Sequence, residues 1–227
     1  MADYEMDRRS LLRLAPAAGL TLVASGLLPA QGKQEIEVTP AEDLMREHGL
    51  LKRILLIYEE IGRRIAAKKD FPIASVTDSA KIIRSFIEEY HEKLEEDYLF
   101  PRFRKHRVLV DLVDTLQQQH EAGRRVTERI LALSAAGLKS AADKNKLSGA
   151  LSDFVRMYAP HEAREDTVLF PALHQIVSPH EYGALGEDFE RKEHQLFGKE
   201  GFEGIVPRVA AIEKELGIYD LGQFTPK

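Results

Sequence analysis

His91-Glu92-Lys93-Leu94-Glu95-Glu96-Asp97-Tyr98-Leu99-Phe100-Pro101 and His161-Glu162-Ala163-Arg164-Glu165-Asp166-Thr167-Val168-Leu169-Phe170-Pro171 share the pattern His-Glu-x-x-Glu-acid-x-x-Leu-Phe-Pro at an offset of 70 positions. A shared string of that length marks an internal duplication. Within each copy a histidine and a glutamate stand four positions apart, which on an α-helix puts them on one face, about 40° apart around the axis. An imidazole nitrogen and a carboxylate oxygen then reach one point, and two such pairs facing each other make a metal site. A single His-x-x-x-Glu is most simply a surface ion pair; repetition of the whole string favours ligation.

Upstream, Thr39 as N-cap, Pro40 in the first helical position and Glu42 completing a capping box predict a helix that runs to about Lys69, where Asp70-Phe71-Pro72 breaks it. Leu44, His48, Leu51 and Leu55 recur at helical spacing, so His48 sits in an apolar stripe. A second helix is expected from Thr77 or Asp78 to Pro101, with Ile83, Ile87, His91 and Glu95 inward and Tyr98 on the same side. A third covers 108–135, where Val113, Leu116 and His120 repeat the placement of Leu44 and His48 at an offset of 72. After a loop at 136–139 a fourth carries Phe154, Met157, His161 and Glu165 on one face, with a kink expected at Pro160. Four long helices with short connections predict an all-α, up-down-up-down four-helix bundle over residues 40–177. Ser178-Pro179-His180-Glu181 then reads as a capping box opening a helix to about Phe197, followed by another from about Phe202 to Leu216. Residues 178–227 are thus expected to form a C-terminal helical extension packed on the bundle.

The amino terminus reads as an address. Asp7-Arg8-Arg9-Ser10-Leu11-Leu12-Arg13 resembles a twin-arginine export signal, followed by an apolar run over 14–28 and Pro29-Ala30 as a cleavage region. Residues 1–30 are expected to be that signal, 31–39 a linker, and the protein periplasmic. Leu28 fits poorly three positions before the cut, so an uncleaved N-terminal membrane tether is the alternative.

Composition narrows the chemistry. The 227 residues carry a formal charge of −5 and a pI of about 5.9 with scattered basic pairs, which argues against nucleic-acid binding. Cysteine is absent, excluding disulfides, thiolate metal sites and iron–sulfur clusters. Any metal must be held by nitrogen and oxygen. The bundle gathers His48, His91, Glu95, His120, His161 and Glu165, a donor set that suits iron, manganese or zinc. Two carboxylates among two pairs of histidines are best used as bridges between two cations, each cation keeping open positions for a small molecule.

These residues resemble the hemerythrin-like, HHE cation-binding family over about residues 41–175, in the order His, His-x-x-x-Glu, His, His-x-x-x-Glu. The resemblance implies a four-helix bundle around a non-haem di-iron centre, with His48, His91, His120 and His161 as terminal ligands and Glu95 and Glu165 as bridges. Iron is the expected cofactor, two ions per chain, ahead of manganese or zinc. Two departures bear on function. Oxygen-carrying hemerythrins have a second histidine where this chain has Arg124, which argues against reversible oxygen carriage. They also use an aspartate five residues after the last histidine, the place of Asp166, which competes with Glu165 as the bridge. The set is more similar to di-iron proteins associated with nitric oxide chemistry and repair of iron centres, many of which carry an additional cysteine-bearing region that this chain lacks.

The expected function is that of an exported non-haem di-iron protein binding O2, NO or H2O2. The alternatives are an oxidoreductase turning over nitric oxide or peroxide, or protecting iron centres, and a metal-storage or structural zinc bundle. Turnover calls for a redox partner protein, because the sequence offers no cysteine pair, flavin motif or haem attachment site. Tyr98 is a candidate hydrogen-bond donor to a bound diatomic, and His194, preceded by Glu193 as His48 is by Glu47, a candidate ligand from the fifth helix. His106, His174 and His180 fall near helix ends and read as solvated.

Overall fold

Helix α1, Pro40–Ala66, starts on the capping box legible in the sequence: Thr39 Oγ1 accepts from the Glu42 N–H, and the Glu42 carboxylate takes the Thr39 N–H at 2.9 Å. The computed structural model describes residues 38–226, so the stretch expected to be an export signal and all but the end of the expected linker lie outside the described residues. α1 stops short of Lys69 because Lys68 turns left-handed at φ 53°. The next helix begins at Ile73, behind Pro72, earlier than Thr77. Thr77 is inside it, its hydroxyl donating to the Ile73 carbonyl instead of capping.

From Ile73 the helical chain continues through Ile73–Ile82, Ile83–His91, Glu92–Leu94, Glu95–Leu99 and Phe100–His106, and residues 73–106 are called α2. Its Ile83–His91 and Glu95–Leu99 segments are π-helical. α3 is Val110–Ala135, entered through left-handed Arg107 and Leu109. α4 comprises Ala141–Arg164, a π turn over Glu165–Leu169 and Phe170–Leu173. A second capping box, Ser140 with Asp143, starts it.

The helix passes through Pro160 unbroken; its departure from α geometry comes later, at Glu165–Leu169. That π turn and the one at Glu95–Leu99 occupy the same place in the two repeats. Each precedes a proline, Pro101 or Pro171. A proline ring collides with the carbonyl four residues back and offers no N–H to it, and a widened turn relieves both problems. The Phe100 and Phe170 N–H groups accordingly reach back five residues, to the Glu95 and Glu165 carbonyls.

Packing closes α1, α2, α3 and α4 into a ring in which each touches the next and α4 returns to α1. Leu44, Leu51, Ile54, Ile83, Ile87, Val113, Leu116, Leu147 and Phe154 of these helices are all buried. The extension, α5 (Pro179–Phe197) and α6 (Gly201–Glu215), lies on α1 and α2. Phe86 and Tyr90 of α2 meet Phe197, and Arg53 of α1 is paired with Glu213. Ser178 accepts the Glu181 N–H, but the Glu181 carboxylate turns to Arg102 at 2.9 Å, so only half of that expected capping box forms. Among the described residues no helix is long and apolar enough to cross a membrane.

Candidate metal centre

The duplicated string meets itself in the middle of the ring. His48 of α1, His91 and Glu95 of α2, His120 of α3, and His161 and Glu165 of α4 are all buried. They fall into two groups, His48–His91–Glu95 and His120–His161–Glu165, within each of which ligand-type atoms lie within 4.8 Å of one another. The imidazoles pair through Nε2: His48 with His91 at 3.0 Å, His120 with His161 at 3.2 Å.

Both carboxylates span the two pairs. Glu95 puts Oε1 3.8 Å from His91 Nε2 and Oε2 3.3 Å from His120 Nε2. Glu165 puts Oε1 3.1 Å from His161 Nε2 and Oε2 3.3 Å from His48 Nε2. Exchanging the repeats maps one carboxylate onto the other, oxygen by oxygen.

Each histidine is oriented from behind by its Nδ1. His48 Nδ1 is 2.7 Å from Asp166 Oδ1, His91 Nδ1 2.8 Å from Glu47 Oε2, His120 Nδ1 3.1 Å from Glu96 Oε1, and His161 Nδ1 2.8 Å from Gln119 Oε1. A carboxylate or amide oxygen only accepts, so every Nδ1 donates and the neutral ring turns an Nε2 lone pair inward. Four lone pairs then face the four oxygens of Glu95 and Glu165, none of which has a hydrogen-bond partner. Buried acceptors aimed at acceptors need a cation between them.

Protons are the only substitute when metal is withheld. Burial and the charge of Glu165 push the Glu95 carboxyl well above the usual range. Burial would lower His48, but the hydrogen bond it donates to Asp166 and the negative charge of Glu165 beside it overcome that and raise the imidazole to about 9. Burial would raise Glu165, which is instead lowered by His161 and His48. Burial pushes His120 down to about 4 and lowers His91, leaving both neutral.

The rest of the repeated string is accounted for. Asp166 backs His48 and its repeat partner Glu96 backs His120; the position between the pairs belongs to Glu165 rather than Asp166. Phe170 stacks on His48 and Phe100 on His120, each at 5.4 Å between centroids, fixing the rings and excluding water. Glu92 is buried against Arg124 Nη2 at 2.8 Å, and Glu162 against Lys52 Nζ at 3.0 Å. Arg124 and Lys52 are themselves repeat partners, each four residues after its helix's histidine.

Other expectations need correction. Tyr98 is only partly buried and packs on Phe189 of α5, 5.6 Å between centroids, so it turns outward. His194 is exposed on α5 rather than buried as a ligand, whereas His106, His174 and His180 are exposed as expected. Met157 is partly buried, while the fully buried neighbour of His161 is Tyr158. The Tyr158 ring lies 5.3 Å from the His161 ring, and its hydroxyl donates to Glu92 at 2.6 Å. Burial, opposed by Tyr158 and Arg124, holds the Glu92 carboxyl up at about 8. Gly123 makes room for that hydroxyl: a Cβ there would lie 2.0 Å from Tyr158 Oη.

The sequence profile described as the hemerythrin HHE cation binding domain matches residues 39–173, and again 111–217. The chain is 48% identical over 233 residues to curated proteins described as uncharacterized from Mycobacterium bovis and from two strains of Mycobacterium tuberculosis. The alignments cover 97% of this chain and 91% of each relative. No solved structure matches it.

Proposed function

Because the chain belongs to the hemerythrin HHE cation-binding family, we propose that it is an exported non-haem di-iron protein that binds a small diatomic or peroxide at a carboxylate-bridged binuclear centre. The observation that carries this reading is the double reach of Glu95 and Glu165, each with one oxygen toward each histidine pair. One carboxylate can hold two cations a few ångströms apart and offset their repulsion. His48 and His91 would terminate one ion, His120 and His161 the other.

Four imidazoles and two carboxylates fit iron, with manganese or zinc as the other ions such donors take. Bound iron supplies Lewis acidity and one-electron chemistry; the chain supplies the rest. Asp166, Glu47, Glu96 and Gln119 hold the rings in the tautomer that leaves Nε2 free, and Phe100 and Phe170 keep them from rotating. Six protein groups do not fill two octahedral shells, which leaves places for an exogenous ligand beside the buried Phe100 and Phe170 rings, which shield the histidines from water. Arg124, where oxygen carriers place another histidine, is engaged by Glu92 and Glu96 and offers no lone pair.

The test is metal analysis and an optical spectrum of the full chain loaded with ferrous iron and then oxidised. Two irons per chain and near-ultraviolet absorption of a ferric pair are expected, perturbed by nitric oxide or peroxide. One ion per chain, or a colourless zinc protein from iron-replete cells, would remove the reading. Sustained consumption of peroxide with an added reductant would instead identify an oxidoreductase.

A further inference from the structure

Along the bundle axis the centre is closed by Phe100 and Phe170 on one side and by Tyr158 and Phe154 on the other, all buried. A small molecule must therefore come in from the side, through a seam between two neighbouring helices of the ring. Among the described residues α5 and α6 pack on α1 and α2, over the seam between them. α3 and α4 approach so closely that a Cβ on Gly123 would strike Tyr158. The other two seams, α2–α3 and α1–α4, are equivalent under the repeat and can be compared residue by residue.

The α2–α3 seam is held shut. Arg124 reaches across it to two carboxylates, Glu92 at 2.8 Å and Glu96 at 2.6 Å, and its side chain is only 24% exposed. Lys93 bonds Glu96 as well, and the exposed Glu89 and Glu121 stand one helical turn before Glu92 and Arg124. The α1–α4 seam has the same frame with less on it. Lys52 takes the place of Arg124, is 60% exposed, and has its one ion pair among the described residues with Glu162, at 3.0 Å. Asp166, the counterpart of Glu96, is 31% exposed against 7%. Glu89 and Glu121 give way to Ala159 and Gly49, and Lys93 to Ala163, all three exposed. α4 also lacks one helical bond here, because Pro160 has no N–H for the Arg156 carbonyl. A single exposed ammonium on a flexible stem swings into water at little cost, whereas a guanidinium held by two buried carboxylates does not.

Resting on the di-metal reading above, we propose that the α1–α4 seam is the entrance for the exogenous ligand and that Lys52 is its gate, parting from Glu162 to admit molecules of the size of nitric oxide or hydrogen peroxide. Such a gate acts on passage and leaves the bound state alone. It changes entry and exit by the same factor, and the dissociation constant not at all.

Nitric oxide mixed with the full chain loaded with ferrous iron tests this, with binding and release followed by stopped-flow absorbance. Lys52→Ala should raise both rate constants several-fold. Lys52→Arg, whose guanidinium can hold Glu162 and Asp166 together as Arg124 holds Glu92 and Glu96, should lower both several-fold. Ala159→Trp, which sets an indole one turn from Glu162, should also lower both, while its counterpart Glu89→Trp on the other seam should lower neither. The dissociation constant should be the same in all four variants. Rates indifferent to Lys52 and Ala159, equal slowing by Glu89→Trp and Ala159→Trp, or rates that shift together with the dissociation constant would overturn the entrance while leaving the binuclear centre intact. Fewer than two irons bound by the unaltered chain, or no spectral response to nitric oxide, would overturn the reading beneath it, which separates the two failures. The altered side chains are all exposed, and the two Lys52 variants move the rates in opposite directions, which misfolding would not imitate.

Discussion

The hairpin α1–α2 and the hairpin α3–α4 carry the same donors at the same repeat positions, yet differ nearly everywhere else. Leu51 in the first corresponds to Gly123 in the second, Glu88 to Tyr158, Glu47 to Gln119 and Lys52 to Arg124. Among the described residues α5 and α6 pack mainly on the first hairpin. Geometry at the centre is therefore held by a small repeated set: His-x-x-x-Glu, the acid after it, the stacking phenylalanine and the π turn. The groups one layer out were free to diverge, and divergence there changes charge and volume without moving a donor.

The largest effect should come from breaking what the hairpins share. Glu95→Ala and Glu165→Ala should each cost metal at both positions, because each carboxylate serves both; two ions per chain retained by either variant, counted by elemental analysis, would end the bridging assignment. Next come the paired positions of unlike volume. Leu51→Ala should destabilise by about 2–5 kcal/mol through an internal cavity. Its counterpart Gly123→Ala should cost about 1–3 kcal/mol for the opposite reason, a methyl forced against Tyr158 Oη. Urea unfolding of Gly123→Ala, Tyr158→Ala and the double variant should reveal coupling of about 0.5–3 kcal/mol.

The pH dependence probes the asymmetry in the metal-stripped chain. His48, raised to about 9, holds a proton at neutral pH that metal must expel, and Glu95, pushed well above its usual range by burial and the charge of Glu165, keeps its proton to higher pH than a free carboxyl does. Metal affinity should therefore rise with pH through neutrality toward about 9 and fall in acid, with protons released on binding. Calorimetry in buffers of different ionisation enthalpy counts them. For the metal-stripped fold the sign is opposite: the His48 contribution is complete below its unfolded value near about 6.5 and is lost as pH rises through about 9. The smallest effects belong to the caps, where Thr39→Ala and Ser140→Ala should each cost about 1 kcal/mol in thermal unfolding.

The bundle and the six donors were legible because helical spacing and duplication both report on buried faces. What lay one layer out was not. Asp166 was read as a rival bridge and its repeat partner Glu96 only as part of the duplicated string, while Glu47 and Gln119 look like ordinary polar neighbours, and only carrying the offset of 72 one residue back from each histidine would have exposed them. Tyr98 was misplaced by a specific mechanism: a π turn needs more residues per revolution, so the inward position after Glu95 passes to Leu99, which is fully buried. The start of α2 was misjudged because Thr77 has the chemistry of a cap but a helical turn, Ile73 to Val76, with Ser75 and Val76 buried, already precedes it.

The bracing of His48 by Asp166 and Phe170, and of His120 by Glu96 and Phe100, crosses from one hairpin to the other. Neither half alone could orient its own first imidazole. A half-length ancestor would thus have had to work as a symmetric pair of identical chains, and fusing the two copies freed each to acquire substitutions that a homodimer must make twice.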